Sequence, residues 1–386
     1  MKSERYHLFF SLLVIKLLLV ALVIVFQSNY QVAPSVLADV TDSSSALNEP
    51  AFQYDTDHTD VLEEEVTLEE FIDGDGSVSM LAFGDMLLDR YVRTLIERDG
   101  AESILEGLNE DPAFFEDYDF VFANLEGPVT PNRVPTGKSI AFQFSPEHLD
   151  ILTENQFNMV SVANNHTFDM GWAGYEDTYR YLAERDIVAL GDPRGVSEKS
   201  SYETEINGQK IGFAAFNHSD FKIVLQEALD VVAELRERND FVVVSIHWGV
   251  EYQNVPQPWQ REWAKKMVAS GADLILGHHP HVLQGLEFIE GKPVFYSLGN
   301  FVFDQWFSIP TQETIALGLE FETRDDSRYL NLDFTPIRLD YARPYLPDEE
   351  EGQAIIDKFY GYSQRTNADI ETYKALFETG SFELKL

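Results

Sequence analysis

The sequence predicts an α/β fold with a β-sheet that is buried on both faces. Short apolar runs rich in Val, Ile and Phe recur along the chain, and amphipathic stretches with helical periodicity separate several of them. Strand–helix alternation of this kind is typical of a sheet that is buried on both faces. The segment that carries the alternation, residues 77–345, is long enough for one domain with a large core.

The chain begins with a predicted membrane anchor, residues 1–26. Lys2 and Arg5 precede an apolar run that ends at residue 26 and is long enough to nearly cross a bilayer core. The positive flank predicts a cytoplasmic N-terminus, so that a single pass through the cell membrane leaves the rest of the chain extracytoplasmic. A cleaved signal peptide is the alternative, because Val36 and Ala38 have suitable spacing, but the apolar run exceeds the usual core of ~7–15 residues.

An acidic, disordered stalk is predicted for residues 27–76. This segment holds thirteen acidic residues and no Lys or Arg, and it has few large apolar side chains before Val61. Such a composition cannot bury enough apolar surface to offset the entropy of ordering the chain. We therefore expect the folded domain to begin near residue 77.

Strands and helices are predicted from the apolar patterns of residues 77–345. The predicted strands are Val78–Phe83, Phe120–Ala123, Met159–Ala163, Ile211–Phe216, Phe241–Ile246, Leu274–Leu276 and Val294–Leu298. The predicted helices are a stretch ending at Ile96, then Trp172–Glu184, Lys222–Arg238 and Trp259–Ser270. Two further β-like runs, Ile315–Glu322 and Tyr329–Leu339, lack an intervening helix and predict an antiparallel edge or a second sheet. Residues 346–386 are predicted to form a helical C-terminal tail.

Composition limits the possible chemistry and partners. The formal net charge is −38, with 28 basic residues against 66 acidic ones, so nucleic acid is a poor partner. The same charge disfavours tight binding of a polyanion unless a cation or a local basic pocket intervenes. The chain has no cysteine, which excludes disulfides, thiolate ligands and cysteine nucleophiles.

Polar residues with metal-binding groups follow five of the predicted strands, at the edge where open α/β sheets bind their ligands. They are Asp85, Asn124 with Glu126, Asn164-Asn165-His166, His247, and His278-His279-Pro280-His281. Imidazole, carboxylate and amide ligands without sulfur suit a divalent metal such as Mn, Zn, Fe or Mg. The sequence therefore predicts a site for one or two metal ions.

Six motifs occur in an order that resembles the CapA-type poly-γ-glutamate capsule biosynthesis family, over a region from about Ser77 to Asp304. They are Gly84-Asp85-Met86-Leu87-Leu88-Asp89-Arg90, Asn124-Leu125-Glu126, Ser161-Val162-Ala163-Asn164-Asn165-His166, His247-Trp248-Gly249, Gly277-His278-His279-Pro280-His281 and Ser297-Leu298-Gly299-Asn300-Phe301. The resemblance implies a metallophosphoesterase-like sandwich of two mixed β-sheets flanked by α-helices.

The resemblance also implies a set of metal ligands. They are Asp85, Glu126 (or Asn124) as the bridging group, Asn165, His247, His279 and His281. One ligand of the related phosphoesterases is missing, because they follow the first Asp with x-His whereas this chain has Leu87. One of the two metal positions is therefore expected either to have too few ligands or to be completed by Glu251 or His278.

Three residues are candidates for catalysis. His166, next to Asn165, is expected to act as an acid or to stabilise the transition state, with Asp169 orienting its imidazole. The alternative is that Asn164 or Asn165 caps the following helix and His166 is simply buried. Arg90 is expected to receive an anionic group of the substrate, and a surface salt bridge is its alternative.

Two functions remain open from the sequence. The first is a membrane-anchored, extracytoplasmic, metal-dependent hydrolase or transferase of poly-γ-glutamate synthesis or export, which acts on the polymer or on an envelope phosphoester. The second is a non-catalytic accessory subunit that binds the polymer or a membrane-bound synthase, with the metal bridging carboxylates to an acidic protein.

Overall fold

The computed structural model of the protein describes residues 76–134 and 136–386. The predicted anchor, residues 1–26, and nearly all of the predicted stalk lie outside these residues. Among the helices that the structure describes, none has the length and apolar character needed to span a membrane.

Fifteen strands are present in the described part of the chain. In chain order they are β1 (Val78–Met86), β2 (Phe120–Leu125), β3 (Met159–Ser161), β4 (Val188–Leu190), β5 (Ser201–Ile206), β6 (Gln209–His218), β7 (Phe241–Trp248), β8 (Leu274–His278), β9 (Leu286–Ile289), β10 (Lys292–Phe295), β11 (Asn300–Val302), β12 (Glu313–Arg324), β13 (Ser327–Asp340), β14 (Arg343–Tyr345) and β15 (Ser381–Lys385). The α-helices are α1 (Arg90–Asp99), α2 (Asp150–Thr153), α3 (Gly171–Ala183), α4 (Leu225–Arg238), α5 (Pro258–Ala269), α6 (Glu349–Thr366) and α7 (Lys374–Thr379).

The strands form two mixed sheets. The first has the order β14-β13-β12-β1-β2-β3-β4, with β11 beside β1 and β15 beside β13, and its strands β1 to β4 are parallel. The second has the order β5-β6-β7-β8-β10-β9, with β6, β7, β8 and β10 parallel. The expectation of two mixed sheets flanked by helices is therefore confirmed for the described residues.

The sheets pack face to face, and helices cover their outer faces. Along β1, Val78, Met80 and Ala82 belong to a buried cluster that includes side chains of both sheets, whereas Leu81 and Phe83 point to the opposite face. This alternation follows from the two-residue period of a strand. The outer face of the first sheet packs against α1, α2 and α3, and that of the second packs against α4 and α5.

The two β-like runs near the C-terminus form a hairpin in the first sheet. Strand β12 pairs antiparallel with β13 over the whole length of β12, and it pairs antiparallel with β1 on its other side. Asp325 and Asp326 form the two-residue turn with positive φ angles of 50° and 61°, as a tight hairpin of this hand requires. The hairpin therefore extends the first sheet instead of forming a sheet of its own.

The segment after residue 345 contains more than helix. Helices α6 and α7 are followed by β15, which pairs antiparallel with β13. Ile355 and Phe359 of α6 and Phe377 of α7 are buried in the cluster between the sheets. This segment is therefore part of the domain core, whereas the sequence predicted only a helical tail.

Candidate metal centre

The carboxyl ends of parallel strands from both sheets meet at one edge of the sandwich. Asp85 of β1 pairs in register with Asn124 of β2, and His247 of β7 pairs in register with His278 of β8. The backbone of β1 approaches the loop before β11 very closely, because a Cβ at Gly84 would lie 2.0 Å from the carbonyl oxygen of Gly299. The absent side chain at Gly84 thus permits the approach that brings Asp85 to this edge.

A strained turn after β8 carries two of the predicted ligands. His279 and His281 have φ angles of 96° and 58°, in a region that non-glycine residues rarely adopt. The backbone N–H of His279 donates to Oδ2 of Asp85 at 3.1 Å, which ties the turn to the first strand. Such strain persists where surrounding contacts enforce it, and it is concentrated at functional sites.

The turn completes two overlapping groups of metal-competent donors. In one group, donor atoms of Glu126, His247 and His279 all lie within 4.8 Å of one another, and in the other the same holds for Asp85, Glu126 and His281. Oε1 of Glu126 is 3.9 Å from Nε2 of His247 and 3.7 Å from Nε2 of His281. Glu126 is therefore shared by two adjacent positions, as a bridging carboxylate would be.

The state of Glu126 tests whether these residues fit a metal ion. Its side chain is fully buried, and neither carboxylate oxygen has a hydrogen-bond partner within the part of the chain that the structure describes. Burial raises the pKa of Glu126 well above its ordinary range, against the opposing effect of His281. A buried, unpaired carboxyl is costly, and a divalent cation would satisfy it. The donor set fits a metal.

The imidazoles differ in protonation. Burial lowers the pKa of His247 well below its usual value, and burial together with His281 lowers the pKa of His279 to about 3. Both rings are therefore neutral at pH 7, the state in which histidine binds a metal. Burial alone would lower the pKa of His281, but Glu126 and Asp85 outweigh it and raise that pKa to about 9.

Three asparagines connect the centre. The Asn124 amide donates to Oδ1 of Asp85 at 2.8 Å and lies 3.2 Å from Nδ1 of His247. Asn124 therefore positions two candidate ligands, and Glu126 is the candidate for the bridging group. Oδ1 of Asn165 is 2.8 Å from Nε2 of His247, beside the first donor group. Oδ1 of Asn164 accepts from the backbone of His166 and Thr167.

The helix-capping alternative for these asparagines is wrong. Helix α3 begins at Gly171 and has Met170 as its N-cap, without a side-chain cap. Asn164 instead closes the short turn that presents His166, as asparagine commonly does in loops.

His166 lies beside the centre, and Asp169 fixes the orientation of its ring. Its Nδ1 is 2.7 Å from Oδ2 of Asp169, and its Nε2 is 4.0 Å from Oε1 of Glu126. Asp169 also accepts from the backbone N–H of Phe142, and it forms a 2.7 Å ion pair with Lys138. Burial lowers the pKa of His166, and Asp169 opposes the shift. The ring therefore has a fixed orientation with one nitrogen free to face a substrate.

Arg90 lies at the wall of the site. Its guanidinium forms a two-point ion pair with Asp304 and lies over the rings of Phe142 and Phe303, at 5.1 and 5.6 Å. Phe142 contacts the His166 ring, and Phe303 contacts the His281 ring. The salt bridge foreseen as the alternative is present, in a position that borders the centre.

An open cavity of about 550 Å³ leads to the centre. It is lined by Lys138, Ser139, Ile140, Asn165, His166, Ser219, Asp220, Gly249, Val250, Glu251 and His279. The cavity gives solvent and a substrate access to His166 and to the first donor group. It has both a cationic and an anionic rim, because Lys138 and Glu251 line it together.

Comparison with known proteins identifies the family. The model of the bacterial capsule synthesis protein PGA_cap matches residues 79–305, the region that carries every candidate ligand. The chain belongs to the PGA_cap family. The PGA biosynthesis protein CapA of Bacillus subtilis (strain 168) is 33% identical over 288 residues, which cover 70% of this chain and 74% of that protein.

Two more relatives and one solved structure extend the comparison. The capsule biosynthesis protein CapA of Bacillus anthracis is 28% identical over 289 residues, covering 69% of each chain. A probable polyglutamine synthesis accessory protein of Mycobacterium tuberculosis is 26% identical over 257 residues, covering 58% of this chain and 67% of that protein. A phosphatase structure from Mycoplasma pneumoniae shares 15% identity at a TM-score of 0.40, covering 64% of this chain and 87% of that one.

In this PGA_cap chain, both expected replacements for the missing histidine lie at the centre. Leu87 is buried, and its backbone N–H donates to Val302. Nδ1 of His278 is 3.6 Å from Oδ1 of Asp85, and neither ring nitrogen of His278 has a hydrogen-bond partner among the described residues. Glu251 is exposed, but its carboxylate lies within 4.8 Å of donor atoms of His279 and His281.

Sequence reasoning missed Lys138. Besides its ion pair with Asp169, its ammonium donates to the carbonyl oxygen of Asn165 at 2.6 Å. It lies in an irregular segment between β2 and α2, where no periodicity or motif marks a functional residue. The PGA_cap site thus has a cation beside the donor group that the sequence pattern did not reveal.

Proposed function

We propose that this protein is a divalent-metal-dependent hydrolase or transferase of poly-γ-glutamate capsule synthesis, acting outside the membrane on the polymer or on an envelope phosphoester. The family and its CapA relatives support a role in capsule synthesis. The observation that carries the enzymatic part is Glu126, a buried carboxylate shared by two donor groups and left without a hydrogen-bond partner in the described chain.

The metal ligands in this proposal come from five strand ends. Glu126, His247 and His279, with the amide oxygen of Asn165, would hold one ion. Asp85, Glu126 and His281 would hold a second. A bound divalent cation supplies an activated water near neutral pH and polarises a carbonyl or phosphoryl oxygen.

The chain's own residues supply proton transfer and binding. Asp169 fixes the imidazole of His166 through Nδ1, so that Nε2 faces the cavity and can give a proton to a leaving group or take one from water. Lys138 neutralises Asp169 and adds positive charge at the cavity. Arg90, paired with Asp304 and stacked on the Phe142 ring that contacts His166, borders the donor groups and would attract an anionic substrate group.

The location in this proposal rests on the N-terminal sequence. An anchor over residues 1–26, with positive residues on its cytoplasmic side, would hold the domain on the outer face of the cell membrane. A membrane-bound synthase would then deliver the polymer nearby. Membrane fractionation and protease accessibility of the domain in intact protoplasts would test this arrangement.

A non-catalytic accessory role is the second candidate, and Leu87 favours it. The resemblance to phosphoesterases implies a histidine at this position, whereas Leu87 is buried and offers no ligand atom. An under-liganded position would hold its ion by fewer protein groups and leave it open to bridge polymer carboxylates. The polymer or a membrane synthase would be the partner in this case.

Turnover measurements separate the two candidates. The purified full-length protein is incubated with γ-linked polyglutamate and with a phosphomonoester and a phosphodiester, first after metal chelation and then with Mn, Zn, Fe or Mg restored. The enzymatic proposal expects metal-dependent product with at least one substrate. Stoichiometric metal without turnover of any of them would favour the accessory role.

A further inference from the structure

We propose that a strip of three cations beside the cavity binds an extended polycarboxylate chain. This cation strip consists of Arg194, Lys199 and Lys222, and exposed aromatic side chains back it. The proposal deepens the proposed function, because the chain bound here would be the polymer whose reacting part lies in the metal centre. It assigns a binding surface outside the centre itself.

Arg194 is the middle of the strip. Its guanidinium carbon lies 4.7 Å from the ring centroid of Phe168, 5.0 Å from that of Trp172 and 5.8 Å from that of Phe221. The structure gives its guanidinium no ion pair within the described ranges. Stacking on rings holds the guanidinium plane and leaves N–H groups at its edge for a carboxylate.

The other two cations extend the strip in both directions. Nζ of Lys199 lies 3.5 Å from the ring centroid of Tyr179 and 4.5 Å from that of Tyr175. Nζ of Lys222 donates only to backbone carbonyl groups, those of His218 and Ser219. Neither lysine has an acidic partner among the residues that the structure describes, so each can add a charge-assisted hydrogen bond to a ligand.

The strip begins at the mouth of the cavity. Ser219 lines the cavity and accepts from Lys222, and Phe168 follows His166 by two positions. From there the aromatic contacts continue along α3, with Phe168 and Trp172 at 5.1 Å and Trp172 and Tyr175 at 5.6 Å between ring centroids. A chain that leaves the metal centre by this side therefore meets all three cations.

Charge complementarity commits the surface to an anionic ligand. The protein has 66 acidic residues against 28 basic ones, and three cations without acidic partners on one side of a cavity are unusual against that excess. Acidic residues also lie near the strip, among them Asp220 and Asp192. Asp220 is exposed and 4.0 Å from Lys138, and the carboxylate of Asp192 already accepts hydrogen bonds from the Arg194 backbone and from Ser197.

The aromatic backing favours carboxylates on an aliphatic chain over a purely ionic polymer. Trp172 is 60% exposed and Phe221 is 39% exposed, so both rings offer apolar surface to a ligand. A γ-linked glutamate chain alternates methylene groups, which would lie on the rings, with carboxylates, which the cations would bind. Polyphosphate would use the cations alone.

Calorimetric titration with a synthetic γ-linked glutamate decamer tests the strip. The full-length chain is compared with Arg194→Gln, Lys222→Gln, their double variant, Trp172→Ala and the conservative Arg194→Lys. We expect each Gln variant to weaken binding about threefold to tenfold, the double variant more than either, and Arg194→Lys to retain most of the affinity. The salt dependence of binding should become shallower in the Gln variants.

Arg365→Gln is the matched control. Arg365 stacks on one ring, that of Tyr362 at 5.3 Å, and like Arg194 it lacks an ion pair in the described chain, but it lies on α6 and not at the cavity. Its substitution should leave the affinity unchanged within about twofold. Thermal unfolding of every variant verifies that the fold is intact.

Three results would overturn the strip. The first is that the wild-type chain does not bind the decamer. The second is that the Gln variants bind it as tightly as the Arg365→Gln control. The third is that a polyphosphate of matched charge binds as tightly as the decamer and that Trp172→Ala changes neither affinity. Metal content and turnover of a short substrate should not change in the strip variants. A wild-type protein that binds the decamer but turns over no substrate would count against the proposed function. It would not contradict binding at the cation strip.

Discussion

Glu126 combines two properties that a folded protein rarely leaves uncompensated. Its carboxyl is fully buried, and no described group donates a hydrogen bond to it. A buried acidic group in this state costs several kcal/mol unless a cation or a proton neutralises it. The two donor groups that share Glu126 supply the imidazoles and the second carboxylate with which a divalent cation would be held.

His166 should affect turnover without affecting metal binding. Its ring is fixed by Asp169 through Nδ1, and among the described residues it belongs to none of the donor groups that could hold a metal ion. Under the enzymatic proposal, His166→Ala keeps the fold and the metal but lowers turnover by ~10²–10⁴-fold, the usual contribution of a positioned acid or base. The measurement is in vitro hydrolysis together with polymer production in cells.

His279→Ala is the control for that experiment, because it removes a candidate ligand instead of the proposed proton donor. It should lose metal and activity together. Normal activity of the His166→Ala variant in both assays would exclude a catalytic role for His166 and favour the accessory function.

His218 should make the stability of the protein depend on pH. Burial lowers the pKa of His218 to about 4, and the charge of Lys222 adds to the shift. In the unfolded chain a histidine titrates near ~6.5, so the unfolded state binds the proton more tightly. The free energy of unfolding should therefore be fully retained above pH ~6.5 and fall as pH decreases toward 4. The effect is modest because the ring is only about half buried.

Urea unfolding at pH 7 and at pH 4.5 measures this dependence, with His218→Gln as the comparison. The ring packs on Trp263 at 4.0 Å, so tryptophan fluorescence reports the same titration in the native state. The variant should lose less stability between the two pH values than the wild type. An identical loss in both proteins would assign the pH dependence to other groups.

At the scale of elements, close backbone contact at Gly84 determines where the first strand presents Asp85. The N–H of Asp85 donates to the carbonyl of Gly299 at 2.9 Å, and a Cβ at Gly84 would collide with that same carbonyl oxygen. Gly84→Ala should therefore push β1 away from the loop before β11. We expect a destabilisation of about 1–3 kcal/mol, the usual cost of overpacking, together with weaker metal binding.

Gly361→Ala is the control for Gly84→Ala, measured by urea unfolding. Gly361 lies within α6, and a Cβ there would meet no heavy atom within 4 Å. Alanine at such a helical position should stabilise the protein by about 0.5–1 kcal/mol. If the two alanine variants shifted stability in the same direction, the close approach at Gly84 would not be the constraint described above.

The strands that the sequence predicts are marked by apolar runs. Strand β7 (Phe241–Trp248) is buried at every position, so its composition alone marks it. Strands β4 and β14 have three residues each, and three residues carry no detectable alternation. Strand β15 (Ser381–Lys385) is recognised only through its pairing with β13, a contact that local sequence does not encode.

The site is predictable where a polar residue directly follows such a strand. Asp85 and His247 lie at strand ends that the sequence marks, and the structure brings both to one edge of the sandwich. Lys138 was not predictable, because it reaches the site from an irregular segment. The ion pair between Arg90 and Asp304 likewise joins residues 214 positions apart and depends on tertiary packing.

At the scale of the whole molecule, the described core includes side chains of the C-terminal segment. The buried clusters begin at Val78 and include Ile355, Phe359 and Phe377. Deleting residues 1–30 should therefore leave a soluble, folded protein that no longer fractionates with membranes. Deleting residues 346–386 should expose the core between the sheets and yield an insoluble or protease-sensitive chain.

Limited proteolysis and circular dichroism of the two truncated proteins measure this difference. A protease-sensitive chain after removal of the first 30 residues would mean that the N-terminal region packs on the domain. A stably folded chain after removal of residues 346–386 would contradict the place of α6 and β15 in the core.

The most direct test of the metal centre is the metal content of the purified full-length chain, determined by elemental analysis alongside thermal unfolding. We expect one or two divalent ions in the wild type and a rise in unfolding temperature when metal is restored after chelation. Glu126→Gln and the double variant His279→Ala/His281→Ala should fold, yet lose both the metal and the metal-dependent stabilisation. Stoichiometric metal retained in these variants, or a wild-type chain that binds no divalent ion, would show that these residues do not form a metal centre.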